Sequence, residues 1–292
     1  MAAAVQGRVE VRGSQGRVKS LKMDLMKSTP AESWRKILDA AGVGWDEVLL
    51  VWASPPCQTF SPADYSNISR GHAFRDHSDP HRPPTKTNRN KAEVARQHDE
   101  LVQHIMTMQE YAAKKVAGIA CFLENPRGSL ACREYMGEDE LDPMWRRSEL
   151  DQCAFGRDYK KSTHLWHNLS CLTLVGVTGD GKCHGRCGKG HMVGGYYKHF
   201  KALAMEPIRG PRGPGHTQEK NALPKQLLEV LLEQVIASSD RPQATVVVDL
   251  CAGFQSWRSV AVDRGYEYVA VDLLGDRSKK KGGMAEGTIL VS

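Results

Sequence analysis

One stretch limits the possible folds more than any other. Residues 48–52 (Val48, Leu49, Leu50, Val51, Trp52) form an unbroken apolar run that stops abruptly at Ser54-Pro55-Pro56-Cys57-Gln58. A strand with no polar alternation has no face for water, so it belongs in the middle of a parallel sheet covered on both sides by helices. This predicts an α/β fold. The loop that follows lies at the carboxyl edge of the strand, where open α/β sheets place their chemistry. Two prolines fix the backbone φ just ahead of Cys57. A thiol held in this way reads as a nucleophile.

The same architecture recurs along the chain. Residues 18–24 read as a short strand ending in Asp24. Residues 33–41 place Trp34, Ile37, Leu38 and Ala41 on one helical face, and Gly42 and Gly44 end that helix. Together with the strand at 48–52 they make a strand–helix–strand unit, the building block of a parallel sheet. Residues 61–90 are aperiodic and rich in Pro, His, Arg and Asp, and are predicted to close over a substrate. An amphipathic helix is expected over 92–113, then a second apolar strand over 117–123 that terminates in a loop, Glu124-Asn125-Pro126-Arg127-Gly128. On its own Glu124 could be a surface acid. After Cys57 it is the second chemically able group to close an apolar strand. Residues 130–150 are expected to be irregular helix and 151–168 strand–turn–strand. A loop should lie at 209–215, a helix at 224–237, strands at 246–250 and 268–272 around a helix at 256–263, and a polar tail after Asp276.

Charge is concentrated. Residues 157–220 carry 11 Lys/Arg and 4 Asp/Glu, a local +7 against +6 for all 292 residues. A basic lobe on a neutral body suits a polyanion such as nucleic acid; a solvated loop region is the plainer alternative. The longest apolar runs fall short of a membrane span. The first residues (MAAAVQGRVEVRG) lack the basic-then-apolar order of a secretion signal, and the eight cysteines then predict a reducing, intracellular setting, cytoplasmic or wherever the DNA lies.

Ser54-Pro55-Pro56-Cys57-Gln58-Thr59-Phe60-Ser61 and Phe122-Leu123-Glu124-Asn125-Pro126-Arg127-Gly128 together resemble the Pro-Cys-Gln and Glu-Asn motifs of the DNA cytosine-5 methyltransferase family, in the family's order. The resemblance implies a Rossmann-like fold dependent on S-adenosylmethionine, with a small basic target-recognition lobe. It also implies DNA as partner and a reaction in which Cys57 attacks C6 of a flipped-out cytosine while Glu124 engages N3. Gln58, Asn125 and Arg127 would support these groups, and Asn125 and Arg127 would orient Glu124 and the nucleotide backbone. Base extrusion is needed because the target carbon is hidden in the duplex stack. Phe155-Gly156 followed by Lys160 and Lys161 falls where the family has a basic motif touching the target base, which makes the two lysines candidate phosphate contacts.

Near the C-terminus, Asp249-Leu250-Cys251-Ala252-Gly253-Phe254 closes a strand and precedes a helix, and the next strand ends at Asp272. A tight backbone turn followed by an acid for ribose hydroxyls is nucleoside-binding logic, although a plain structural βαβ unit would read similarly. The segment resembles the family's cofactor motif, with Cys251 in place of Phe and no further glycines. Pro55 and Asp24 join this set by resemblance, Asp24 as the adenine-side acid. The motif comes last here and first in most of the family. The chain therefore resembles a circular permutant: a catalytic part over 1–150, a target-recognition lobe over 151–222 and a cofactor-binding part over 223–292. The strand at 246–250 should insert beside that at 48–52.

Cys171, Cys183, Cys187 and His191 give C-x11-C-x3-C-x3-H on a Gly-rich segment, a donor set suited to tetrahedral zinc; free thiols on a basic loop are the alternative. Two other functions remain open at this level. One is a permuted amino-group methyltransferase acting on N4 of cytosine or N6 of adenine, whose Ser-Pro-Pro-aromatic loop Ser54-Pro55-Pro56 resembles; such enzymes need an aromatic where Cys57 stands. The other is a DNA-binding relative without turnover. Charge alone does not separate DNA from RNA.

Overall fold

The apolar strands find cover on both faces. A computed structural model of the chain describes residues 17–61, 74–75, 89–137, 141–201, 222–252, 255–273 and 288–290. In chain order the elements are β1 (Val18–Met23), α1 (Pro30–Ala41), β2 (Val48–Ala53), α2 (Arg89–Lys115), β3 (Ala120–Pro126), β4 (Arg146–Asp151), β5 (Ser162–His167), β6 (Gly190–Val193), β7 (Tyr196–His199), α3 (Lys225–Ser238), β8 (Val246–Leu250), α4 (Trp257–Asp263), β9 (Glu267–Leu273) and β10 (Thr288–Leu290), with short 3-10 turns between. Eight strands make one sheet in the order β10-β1-β9-β8-β2-β3-β5-β4, and β6 and β7 make a separate hairpin. Within the large sheet only β5 runs against its neighbours β3 and β4.

As the pattern required, all six residues of β2 are buried. Val48, Val51 and Ala53 face the side covered by α1 and α2, while Leu49, Leu50 and Trp52 face α3 and α4. Leu49 and Leu50 share a face because the β2–β8 register shifts between Val48 and Leu50. Each such side chain moved out of water contributes about 1.5–3 kcal/mol. Gln109 of α2, fully buried, donates to the carbonyls of both Val51 (3.2 Å) and Phe122 (2.8 Å), so one helix holds β2 and β3 side by side.

Local signals set several boundaries. Thr29 and Glu32 cap α1 reciprocally, and Gly42 ends it at φ +61°, a conformation that costs a residue with Cβ. As expected, β8 lies beside β2 in parallel register. Chain order reverses there, since β8 leads through α4 to β9 on one side and β2 leads through α2 to β3 on the other. This is the switch point where open sheets form a ligand crevice.

Three expectations need correction. Glu124, Asn125 and Pro126 are the last residues of β3, not a loop. Antiparallel pairing with β5, almost 40 residues away, extends the ladder past the point where β2 stops. Residues 130–150 contain two short 3-10 turns and then β4. The strand–turn–strand expected over 151–168 is instead β4 ending at Asp151, a 3-10 turn, and β5, which joins the central sheet although it falls inside the expected lobe. The expected loop at 209–215 and the tail after Asp276 lie largely outside the described residues, as does most of 61–90.

Candidate active site

The β2 and β3 strands are paired through Ala53 and Leu123, so the residues just beyond them share one edge. The Cys57 loop is tied down at several points. The Ser54 amide donates to the Leu250 carbonyl of β8 (3.4 Å), and Asn125 Nδ2 donates to the Pro55 carbonyl (3.3 Å). The Cys57 carbonyl accepts from the amides of Phe60 and Ser61, closing a tight turn that includes Gln58. Thr59 and Phe60 are buried beneath it.

Glu124 is buried. Trp52 Nε1 donates to Ser54 Oγ (2.8 Å), the Ser54 side chain hydrogen-bonds the Glu124 carboxyl, and Oε1 of Glu124 has no partner among the described residues. Burial raises the Glu124 pKa against the opposing pull of the Lys161 charge and the Ser54 hydrogen bond. Burial also raises the Cys57 thiol, with the Glu124 charge adding to it and Lys161 opposing it. The two predicted groups therefore sense one another, and both sense Lys161. A carboxyl that keeps its proton above its ordinary range can donate to a ring nitrogen. The thiol needs a cation or a proton acceptor before it can act as a thiolate.

Lys161 is thus corrected. Read from the sequence as a phosphate contact, it is only 9% exposed and acts on the Cys57–Glu124 pair from the start of β5. Lys160 remains on the surface, paired with Asp151 at 3.3 Å. Arg127, on the surface, pairs with Glu149 at 3.2 Å, and its amide donates to the Ser162 carbonyl. His164, cross-strand from Asn125, is pushed down to about 4 by burial and by Arg147, so it is neutral at neutral pH.

The cofactor candidates gather along the adjoining edge. Asp249 is buried in β8, accepts from the Tyr268 hydroxyl at 2.7 Å, and leaves Oδ1 without a partner among the described residues. Burial raises it to about 7, outweighing the Tyr268 hydrogen bond. Leu250 ends β8, and Cys251 follows in the left-handed region at φ +61°, as does Gln255 at φ +50°. Non-glycine residues held there store strain, which concentrates at ligand sites. The Ala252 amide hooks onto the Val271 carbonyl (3.0 Å), beside Asp272. Lys22 pairs with Asp272, so Asp24, which caps the 3-10 turn after β1, stands at the same edge. Gly253 and Phe254 lie outside the described residues. An unpartnered buried carboxylate oxygen and two further acids thus stand along one sheet edge, where they could accept from hydroxyl or amine donors of a bound ligand.

The metal set differs from the expected one. Cys153, Cys183, Cys187 and His199 bring their ligand atoms within 4.8 Å of one another and could hold a metal ion. Sγ of Cys183 and Sγ of Cys187 are 3.5 Å apart, and Nε2 of His199 is 3.4 and 3.3 Å from them. Ligands at about 2.3 Å on a tetrahedron stand about 3.8 Å apart, close to these spacings. Cys171 is exposed and outside the group. His191 is excluded by the pleat: His199 pairs with Gly190, so His191 points to the opposite face and stacks on Phe200. Burial and Lys160 lower the His199 pKa, keeping it a neutral ligand. Burial disfavours the Cys187 thiolate, but hydrogen bonds from Tyr197, the Lys189 backbone and the neighbouring thiols outweigh it and lower its pKa.

Sequence reasoning missed Cys153 and His199, and gave Lys161 a phosphate role instead of its position beside Cys57 and Glu124. The lysine sits in a basic doublet, and nothing local tells which member is buried. Cys153 lies 30 residues before Cys183 and beside Phe155, where it reads as core. Comparisons with protein-family models, curated proteins and solved structures gave no match. Among the described residues no helix is long and apolar enough to cross a membrane. What the fold establishes is an α/β protein with a mostly parallel sheet, compatible with Rossmann-like architecture, and a Cys/His group able to take a metal.

Proposed function

We propose that this chain is a DNA methyltransferase acting at C5 of cytosine. The observation that carries the reading is the convergence of Cys57, buried Glu124 and buried Lys161 on the adjacent ends of β2, β3 and β5. On this reading Cys57 adds as thiolate to C6 of a cytosine turned out of the duplex. Glu124 donates its retained proton toward N3, which draws electrons from the ring and opens C6 to attack; the bond from sulfur to C6 then pushes electrons onto C5, making it nucleophilic. S-adenosylmethionine held by Asp249, Asp272 and the backbone turn at Cys251 would supply the methyl group. Loss of the C5 proton with expulsion of the thiolate restores the aromatic ring. Lys161 opposes, without cancelling, the burial that holds Cys57 protonated, and its charge favours the thiolate once the proton is lost.

The order of strands supports a permuted arrangement: the cofactor strand β8, late in the chain, stands beside the Cys57 strand, early in it. The metal group is read as a structural zinc site, because all four positions are filled by protein ligands of the kind zinc prefers.

The test is incubation with S-adenosylmethionine and DNA containing 5-fluorocytosine, followed by a denaturing gel. Fluorine at C5 cannot leave as a proton does, so the enzyme stays attached through Cys57. A shifted band that is absent in Cys57→Ala is expected. Cys57→Ala enzyme that methylates ordinary DNA at the wild-type rate would refute the mechanism.

A further inference from the structure

The β6–β7 hairpin departs from the rest of the described surface. Gly194 and Gly195 make its turn with φ of +57° and +84°, the pair of positive values that lets a two-residue turn follow the strand twist. Pairing of Gly190 with His199, His191 with Lys198, Met192 with Tyr197 and Val193 with Tyr196 sorts the side chains into two faces. The inner face carries His199 and Tyr197, whose hydroxyl lies 3.5 Å from Cys187 Sγ, so the Cys/His group holds the hairpin from behind. The outer face carries His191, Val193, Tyr196 and Lys198, extended by Phe200 stacked on His191 at 5.4 Å.

That outer face is apolar and unpacked. Tyr196 is 80% exposed, Phe200 68% and Val193 49%. A cluster of exposed apolar side chains on one small element marks a contact surface. Its setting selects the partner. Lys198 and Arg186, both exposed, have no acidic partner among the described residues, and they lie in the segment that holds the chain's excess positive charge. Aromatic rings interleaved with free cations suit bases and phosphates together. A two-stranded ribbon is also one of the few elements that the major groove admits.

We propose that the outer face of this hairpin enters the major groove of duplex DNA. Tyr196 and Val193 would contact base edges and thymine methyls beside the side-chain-free Gly194-Gly195 turn. Lys198 and Arg186 would lie on phosphates, and the His191–Phe200 stack on the sugar–phosphate rim. This rests on the reading of DNA as substrate and adds the element that engages it.

The experiment is anisotropy titration of a labelled DNA duplex over a series of salt concentrations, with wild-type protein, Tyr196→Ala, Lys198→Gln and Phe200→Ala. These side chains are exposed, so thermal midpoints and bound metal should match wild type. Tyr196→Ala should weaken binding roughly tenfold at constant salt slope. Lys198→Gln should lower the slope of log K against log salt by about 1. Wild-type-like binding and slope in all three variants would overturn the hairpin proposal while leaving the DNA reading in place. Failure of wild-type protein to bind duplex at low salt would overturn the DNA reading itself. Tighter binding to single-stranded RNA than to duplex, with the same losses in the variants, would overturn the groove assignment.

Discussion

Arg75 offers the sharpest test of how the Cys57 loop is held. Its side chain is fully buried and makes two bonds to Asp99, Nη1 to Oδ2 and Nη2 to Oδ1, both at 3.0 Å. Nε donates to the Thr59 carbonyl at 2.7 Å, two residues after Cys57, and Nη2 donates to the Ala95 carbonyl of α2 at 3.2 Å. The guanidinium also lies 4.5 Å from the centre of the Phe60 ring. Arg75→Met keeps much of the volume and removes the charge. Breaking a buried pair costs about 3–5 kcal/mol when the survivor is left uncompensated. Here Asp99 would keep Arg133 at 3.0 Å and the Tyr135 hydroxyl at 2.7 Å, which trims that cost. Two carbonyls lose a charged donor at about 1 kcal/mol each. With those partners retained, about 1 kcal/mol of the pair's cost remains, so the expected loss is about 3 kcal/mol, a fall in thermal midpoint of roughly 6–12 °C at the sensitivity of a chain this size. Differential scanning calorimetry measures it. Because Asp99 is shared, Arg75→Met/Arg133→Met should lose more than the sum of the two single variants. A fall under about 3 °C in Arg75→Met, or strict additivity, would refute the view that this network clamps the loop to α2.

Three further outcomes follow from the site. Glu124 raises the Cys57 thiol and Lys161 lowers it. At pH 8, alkylation of Cys57 by iodoacetamide, followed by peptide mass spectrometry, should therefore speed up several-fold in Glu124→Gln and slow several-fold in Lys161→Met, each within about one pKa unit; opposite signs would break the coupling. Burial holds Asp249 at about 7, above its unfolded value near 3.8. The folded chain then binds the extra proton, and stability is lost as pH rises from about 4 through 7. Asp249→Asn should stabilise the fold more at pH 8 than at pH 4.5, by at most ~4 kcal/mol in urea titrations, and an equal gain at both would argue against a protonated Asp249. Purified protein should hold about one zinc per chain by elemental analysis. It should lose that zinc in Cys183→Ser or Cys153→Ser and keep it in Cys171→Ser and His191→Ala; retention in Cys153→Ser would overturn the ligand set.

Local chemistry determined a good deal. The apolar runs at 48–53 and 246–248 pointed to central strands, because any exposed face would have needed polar residues. Thr29, Glu32 and Gly42 marked the ends of α1 through side-chain and backbone effects acting within a few residues. The Pro-framed Cys57 and the acid after the next apolar strand were legible for the same reason. Other features depended on partners distant in sequence. Whether Glu124 belonged to a loop or a strand was decided by β5, and the apolar run itself says nothing about an antiparallel neighbour. Which lysine of the pair at 160 and 161 turned inward was decided by the path into β5. The metal ligands were decided by a 3-10 turn after β4 meeting a hairpin more than 30 residues later, where the two-residue pleat turned His199 toward the thiols and His191 away. Periodicity and capping act over a few residues and are written in the sequence. Which distant side chains share a point in space is settled only when the sheet has closed its register.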